Sequence, residues 1–244
     1  MNFDYFSNIY TINDVHNVIT IQRYTRGFLF RLKRLPLILY IIQDYISKQN
    51  YNFININNDG RINSNFDEDE IINLLIQKYG PKIKKPAIRN WFDVAIYDNY
   101  YGWLPINIKS TTTTTCDNVG NLALCVYAYT NYELDLNCHY DNGPMASILF
   151  DKLKKREYNK RYKKDYYFLV LNKSNNKNII INSVKGLTHL TPNLNNLPFQ
   201  VKWNKNSEFC YKNIICLIEQ FINTIKNPRP SWKETFLTNI RNNF

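Results

Sequence analysis

This chain has few residues suited to a zinc site or a disulfide. Its 3 histidines, His16, His139 and His189, lie too far apart in sequence for a His-rich zinc site. Its 5 cysteines, Cys116, Cys125, Cys138, Cys210 and Cys216, form an odd set without a CxxC pair. That argues against a disulfide framework and for reduced thiols. Long apolar runs are also missing: the longest, Leu35 to Tyr45, is about half of the ~20 residues that a bilayer span requires. The first residues, MNFDYFSNIY, lack a basic segment followed by an apolar one, so no signal peptide is expected. A cytoplasmic location away from membranes is the expectation. No internal repeat is visible.

Positive charge, by contrast, is plentiful. Lys and Arg number 31 against 20 Asp and Glu, giving 31 − 20 = +11 over 244 residues. Such an excess attracts a polyanion, either nucleic acid or an anionic surface. With 44% hydrophobic residues, 19 Tyr and 14 Phe, the chain can build a core and is not a disordered segment. Frequent Asn and Ile, as in ININN and NKSNNKNIIIN, fit an AT-rich coding sequence.

Two parts are expected: a helical segment over residues 1–50 and a larger domain over 66–244. In the first, Asp14 can cap VHNVITIQRYTRGFLFRLKR, and Pro36 separates it from a second helix, LPLILYIIQDYISK. The polar tract 52–65 reads as a linker. DEDEIINLLIQKYG then has acidic residues in its first turn, apolar residues at helical spacing, and Gly80 as a stop. Two β-runs follow, Phe92–Tyr97 and Trp103–Ser110, joined by DNYYG. CDNVGNLALCVYAYTN is expected as a helix capped by Asp117, and MASILFDKLKKREYNKRY as another. Strands return at DYYFLVLNK, NIIINSVKG and PFQVKWNK, and the C-terminal stretch SEFCYKNIICLIEQFINTIKN is helical. The fold class is α/β, a mixed central sheet flanked by helices.

The hairpin carries the chemistry. Side chains alternate along a strand, so Asn107 and Lys109 share one face, and a tight turn brings Asp93 alongside. A carboxylate beside a lysine suits metal-dependent phosphodiester cleavage. The carboxylate holds Mg²⁺, and the ammonium positions or deprotonates water and offsets charge on the phosphorane. An ordinary cross-strand ion pair would use the same residue types.

Asp93, thirteen intervening residues and Asn107-Ile108-Lys109 resemble the PD-(D/E)xK signature of type II restriction endonucleases. IRNWFDVAIY, PINIKSTTTTTCDN and NLPFQVKW also look like members of that group, and the likeness runs over residues 66–235. It implies a restriction-endonuclease-like fold, double-stranded DNA as substrate, a homodimer and Mg²⁺ on Asp93, Asn107 and the Ile108 carbonyl. Catalysis is then expected from Asp93, Asn107 and Lys109. Asn107 departs from the pattern, because that position is usually acidic. A carbonyl oxygen still reaches a metal but adds no charge. A second carboxylate must come from elsewhere, and Glu70 or Glu68, on the helix before the hairpin, can supply it. Without one, metal binding is weaker, or the protein binds DNA without cutting it.

DNA contacts are expected from Lys84, Lys85 and Arg89, from the hydroxyls of Ser110, Thr111 and Thr112, and from Gln200 and Lys202. Ser110–Thr115 is equally well read as a strand continuation facing water. Residues 21–31, IQRYTRGFLFR, resemble the IQ motif of myosin necks at Ile21, Gln22, Arg26, Gly27 and Arg31. That resemblance implies a calmodulin-like partner, although a basic helix packing on its own domain has the same pattern. With the AT-rich composition it points to a eukaryotic setting, where restriction-like nucleases resemble those of large DNA viruses; the location is then the host cytoplasm.

Overall fold

A computed structural model describes residues 17–22, 34–49, 60–87, 90–159, 164–175, 177–192, 199–210 and 238. The chain divides into two compact units, Met1–Leu35 and Pro36–Phe244. In the first, residues 17–22 are helical, with Ile21 and Gln22 exposed. Arg26, Gly27 and Arg31, the rest of the IQ-like motif, fall outside the described residues, as does the expected C-terminal helix beyond residue 210 apart from residue 238.

The larger unit begins with α1 (Leu37–Ser47), which follows Pro36. Leu39, Ile42 and Ile46 are its buried stripe, at the 3- and 4-residue spacing of one helix face. The Gln43 amide donates to the Ile179 carbonyl of the sheet below. Next comes α2 (Gly60–Tyr79), closed by Gly80 in the left-handed region at φ +51°. It starts well before the acidic DEDE run, inside the tract expected to be a linker. The reason is polar packing: Asn63 and Asp67 are 3% exposed, and Ser64 Oγ donates to the Ser110 carbonyl at 3.1 Å.

The main sheet has five strands in the order β1-β2-β3-β5-β6. These are β1 (Ile83–Lys84), β2 (Val94–Asp98), β3 (Gly102–Thr111), β5 (Tyr167–Asn172) and β6 (Ile179–Ser183). The expected hairpin is β2–β3. Its turn is set by Asp98 Oδ1, which accepts from the Tyr100 and Tyr101 amides at 2.8 and 2.9 Å, and by Gly102 at φ +76°. Strand β5 runs parallel to β3, with Asn107 opposite Phe168 and Lys109 opposite Val170, while the other pairings are antiparallel. All six residues of β5 are buried, as suits a central strand.

Between β3 and β5 lie α3 (Leu122–Tyr129) and α4 (Asn142–Lys154), on one face of the sheet. The core gathers there: Ala95, Phe168, Val170 and Ile180 meet Leu122, Val126, Met145 and Leu149. A second sheet, β4-β8-β7, comprises β4 (Asp117–Asn118), β7 (Leu190–Pro192) and β8 (Phe199–Val201). Asp117 is therefore a strand residue, and Asn121 caps α3 instead, accepting from the Ala123 amide at 3.0 Å. The mixed sheet flanked by helices agrees with the fold class read from the sequence. No described helix is long and apolar enough to cross a membrane.

Candidate active site

Strand β3 has ten residues and β2 five, and this mismatch opens the site. The ladder ends with the Asp93 amide donating to the Ile106 carbonyl at 3.0 Å. Beyond Ile106 the edge of β3 no longer faces a strand. Side chains take over its backbone groups. Asp93 Oδ2 accepts from the Ile108 amide at 2.8 Å, and Glu68 of α2 accepts from the Ser110 amide. Amide and carbonyl of one strand residue point to the same side, so the Ile108 carbonyl is turned toward this edge too.

Four charged side chains share the opening. Lys109 lies within electrostatic range of Asp117, Glu68 and Asp93. Burial pulls its ammonium down, yet the three carboxylates outweigh burial and hold it above the ordinary lysine value. Burial raises Asp93, against the pull of Lys109 and the Ile108 N–H. Glu68 is pushed up to about 8 by burial, with Lys109 opposing and Asp93 and Asp117 adding to the rise. A carboxyl this far from its usual range, inside a charge cluster, marks a candidate functional position. Asp117 is fixed from behind by Trp203, whose Nε1–H donates to its Oδ2 at 2.9 Å.

Asp93, Asn107 and Lys109 thus sit on adjoining backbone, as the hairpin reading expected. Asn107 is 7% exposed, and its Oδ1 is buried without a hydrogen-bond partner. The α2 carboxylate that shares the charge of Lys109 is Glu68 rather than Glu70, which stands two residues, about 200°, further round the helix. Asp117 went unnoticed in the sequence because DNVGN imitates a helix cap. Its partner strand lies more than eighty residues away, with Asp117 opposite Val201.

The expected DNA contacts are dispersed. Ser110 Oγ is buried and donates to Asp67 at 2.8 Å, so this hydroxyl serves packing. Thr111 ends β3, while Thr112 is exposed with Oγ1 3.3 Å from that of Thr115. The threonine run does not continue the strand. It turns at Thr113, at φ +66°, whose carbonyl accepts from the Asn204 amide at 3.0 Å. Lys84 is on β1, and Lys85 pairs with Asp69 at 2.9 Å on the surface. Arg89 falls outside the described residues. Gln200 donates to Asn118 at 2.9 Å between β8 and β4, and Lys202 follows on the same chain.

Among the described residues no three His, Cys, Asp or Glu side chains come together as a ready metal cage. The oxygens on this edge of β3, the Asp93 and Glu68 carboxylates, the Asn107 carboxamide and the Ile108 carbonyl, are hard donors of the kind Mg²⁺ takes. A buried acceptor left without a donor, as Asn107 Oδ1 is, fits a cation better than it fits a closed protein core. No family model and no curated protein matches this chain.

Proposed function

We propose that this protein is a Mg²⁺-dependent endodeoxyribonuclease of restriction type, built on a restriction-endonuclease-like fold and acting on double-stranded DNA as a homodimer in the cytoplasm. The observation that carries the reading is the cluster at the splayed hairpin: Lys109 among Glu68, Asp93 and Asp117, next to the unpartnered Oδ1 of Asn107. The charge of +11 supplies long-range attraction to DNA.

Asp93, Glu68, Asn107 Oδ1 and the Ile108 carbonyl would hold the Mg²⁺. Once bound, the ion polarises the scissile phosphate and lowers the pKa of a coordinated water. Lys109 has a different task. Asp117, Glu68 and Asp93 hold its ammonium above the ordinary lysine value, so it enters the site charged and donates hydrogen bonds. It orients the attacking water and offsets negative charge as the phosphorane forms. Asp117, held by the Trp203 indole N–H, adds its negative field at the Lys109 ammonium.

The test is incubation of purified protein with supercoiled plasmid in Mg²⁺ and, separately, in EDTA. Discrete fragments that need Mg²⁺ support a restriction enzyme, and a smear means a nuclease without sequence preference. Intact DNA of retarded mobility overturns cleavage. It favours the second reading, a DNA-binding protein with a decayed site, for which the uncharged Asn107 speaks.

A further inference from the structure

The two faces of the second sheet meet different surroundings. Phe199 and Val201 of β8 are 0% exposed and belong to the core. Asp117, opposite Val201, is held on that side by the Trp203 indole. Side chains alternate along a strand, so Asn118 and Gln200 stand on the open face, the first exposed and the second half-buried. Register sets Asn118, Gln200 and Thr191 in one row across β4, β8 and β7. Within that row Gln200 Nε2 donates to Asn118 Oδ1 at 2.9 Å. Lys202, in extended backbone at φ −104° and ψ 119°, continues the same face past the end of β8. The row lies close in the chain to the strand of Asn107 and Lys109, because only residues 112–116 separate β3 from β4. In that connection the Thr113 carbonyl accepts from the Asn204 amide at 3.0 Å, which ties the end of β3 to the segment after β8.

A carboxamide has two N–H donors and an acceptor oxygen. The bond to Asn118 takes one N–H of Gln200 and fixes which end of the amide faces β4. One N–H and Oε1 remain, and Gln200 makes no other side-chain hydrogen bond among the described residues. A donor and an acceptor on one flat group complement the major-groove edge of adenine, where N7 accepts and N6 donates. We propose that the open face of β4-β8-β7 reads DNA sequence in the major groove, with Gln200, oriented by Asn118, selecting adenine. The inference rests on the nuclease reading and deepens it, by naming where the sequence preference of a restriction enzyme resides. The groove is about 12 Å wide and admits a β-ribbon such as the β7–β8 pair. Lys202 brings positive charge to the end of the row, matched to the phosphates that border the groove. An amide fixed before DNA arrives loses little rotamer freedom on binding.

Binding in EDTA separates recognition from cleavage. Wild-type protein selects duplexes from a random library, and fluorescence anisotropy at fixed salt reads its affinity for the selected duplex. One position of that duplex should require adenine. Placing 7-deazaadenine there, which lacks the N7 acceptor, should weaken wild-type binding about tenfold. Gln200→Leu should weaken binding of the unmodified duplex by a similar factor, and the deaza base should then change it less than about twofold. Gln200→Glu, which only accepts, should move the preference at that position from adenine to cytosine, whose N4 donates. Melting curves check that both variants keep the fold. An adenine preference retained by both variants overturns the inference and leaves the nuclease reading standing. So does a library that yields no enriched sequence from a protein that still cuts plasmid in Mg²⁺. A variant that alters sedimentation but not base preference makes this face a protein contact and also overturns the inference. Wild-type protein that neither binds nor cuts DNA overturns both.

Discussion

Replacing Glu68 with glutamine should stabilise the protein at neutral and alkaline pH while removing its response to divalent cations. The carboxyl titrates at about 8 in the folded chain against an ordinary 4.5, a difference of 8 − 4.5 = 3.5 units. Between those values the folded state keeps a proton that the unfolded chain has released. Stability must then fall as pH rises from 4.5 to 8, by up to ~1.4 kcal/mol per pH unit from this group. The full span would be ~5 kcal/mol, an upper bound for a half-buried group coupled to Lys109, and about 2–3 kcal/mol is the expected difference at pH 8. Glutamine has the shape of the protonated acid and does not titrate, so the variant escapes this loss.

Urea unfolding at pH 5, 6.5 and 8 in EDTA measures both proteins. The advantage of Glu68→Gln should be small at pH 5 and grow with pH. Mg²⁺ should then erase the gap from the other side, because a ligand that binds only the folded state stabilises wild type by RT ln(1 + [L]/Kd). A difference that stays flat with pH, or a wild type more stable than the variant at pH 8 in EDTA, would refute the account of Glu68.

Lys109→Met should lower cleavage by about 10²–10⁴-fold, with DNA affinity at fixed salt nearly unchanged; unaltered cleavage in a plasmid assay would remove Lys109 from the mechanism. Asp67→Ala should destabilise the fold by about 3 kcal/mol in urea titration, because it leaves the buried Ser110 hydroxyl without its acceptor and the Lys173 ammonium, 3.3 Å from Asp67, with Ser64 Oγ but no counter-charge. Deleting residues 1–33 should leave soluble protein, whereas deleting 1–50 should cause aggregation. The longer deletion takes Leu39, Ile42 and Ile46, at most 2% exposed, and each contributes ~1.5–3 kcal/mol by burial. Sedimentation of both truncations decides the point.

How much of this was legible in the sequence follows from how local each signal is. The hairpin was, because Asp98 and Gly102 write its turn and apolar residues bracket it. So were the end of α2 at Gly80 and the pair Asp93 and Lys109, joined by a short connection. The start of α2 was not, because Asn63, Ser64 and Asp67 look like linker residues until β3 and Lys173 stand opposite them. Asp117 was missed for a related reason. It reaches the site only through pairing with Val201. No window of neighbouring residues contains that contact. The choice between Glu68 and Glu70 was likewise open until the face of α2 was known.

The charge balance of the site argues for a cation independently of any signature. Lys109 brings one positive charge against three carboxylates, so full ionisation leaves 1 − 3 = −2 in a half-buried opening. Burial, with Asp93 and Asp117 adding to it against Lys109, keeps Glu68 protonated up to about pH 8 when no cation is bound. A divalent ion would cancel the same −2 and displace the proton. The rest of the chain, at +11, has the opposite sign. Under the nuclease reading the two fields have separate work: the positive surface gathers the DNA backbone, and the negative opening reserves its centre for the metal that must meet one phosphate. A cross-strand ion pair of Asp93 with Lys109 alone would be neutral, and it would give neither Glu68 nor Asp117 a reason to approach.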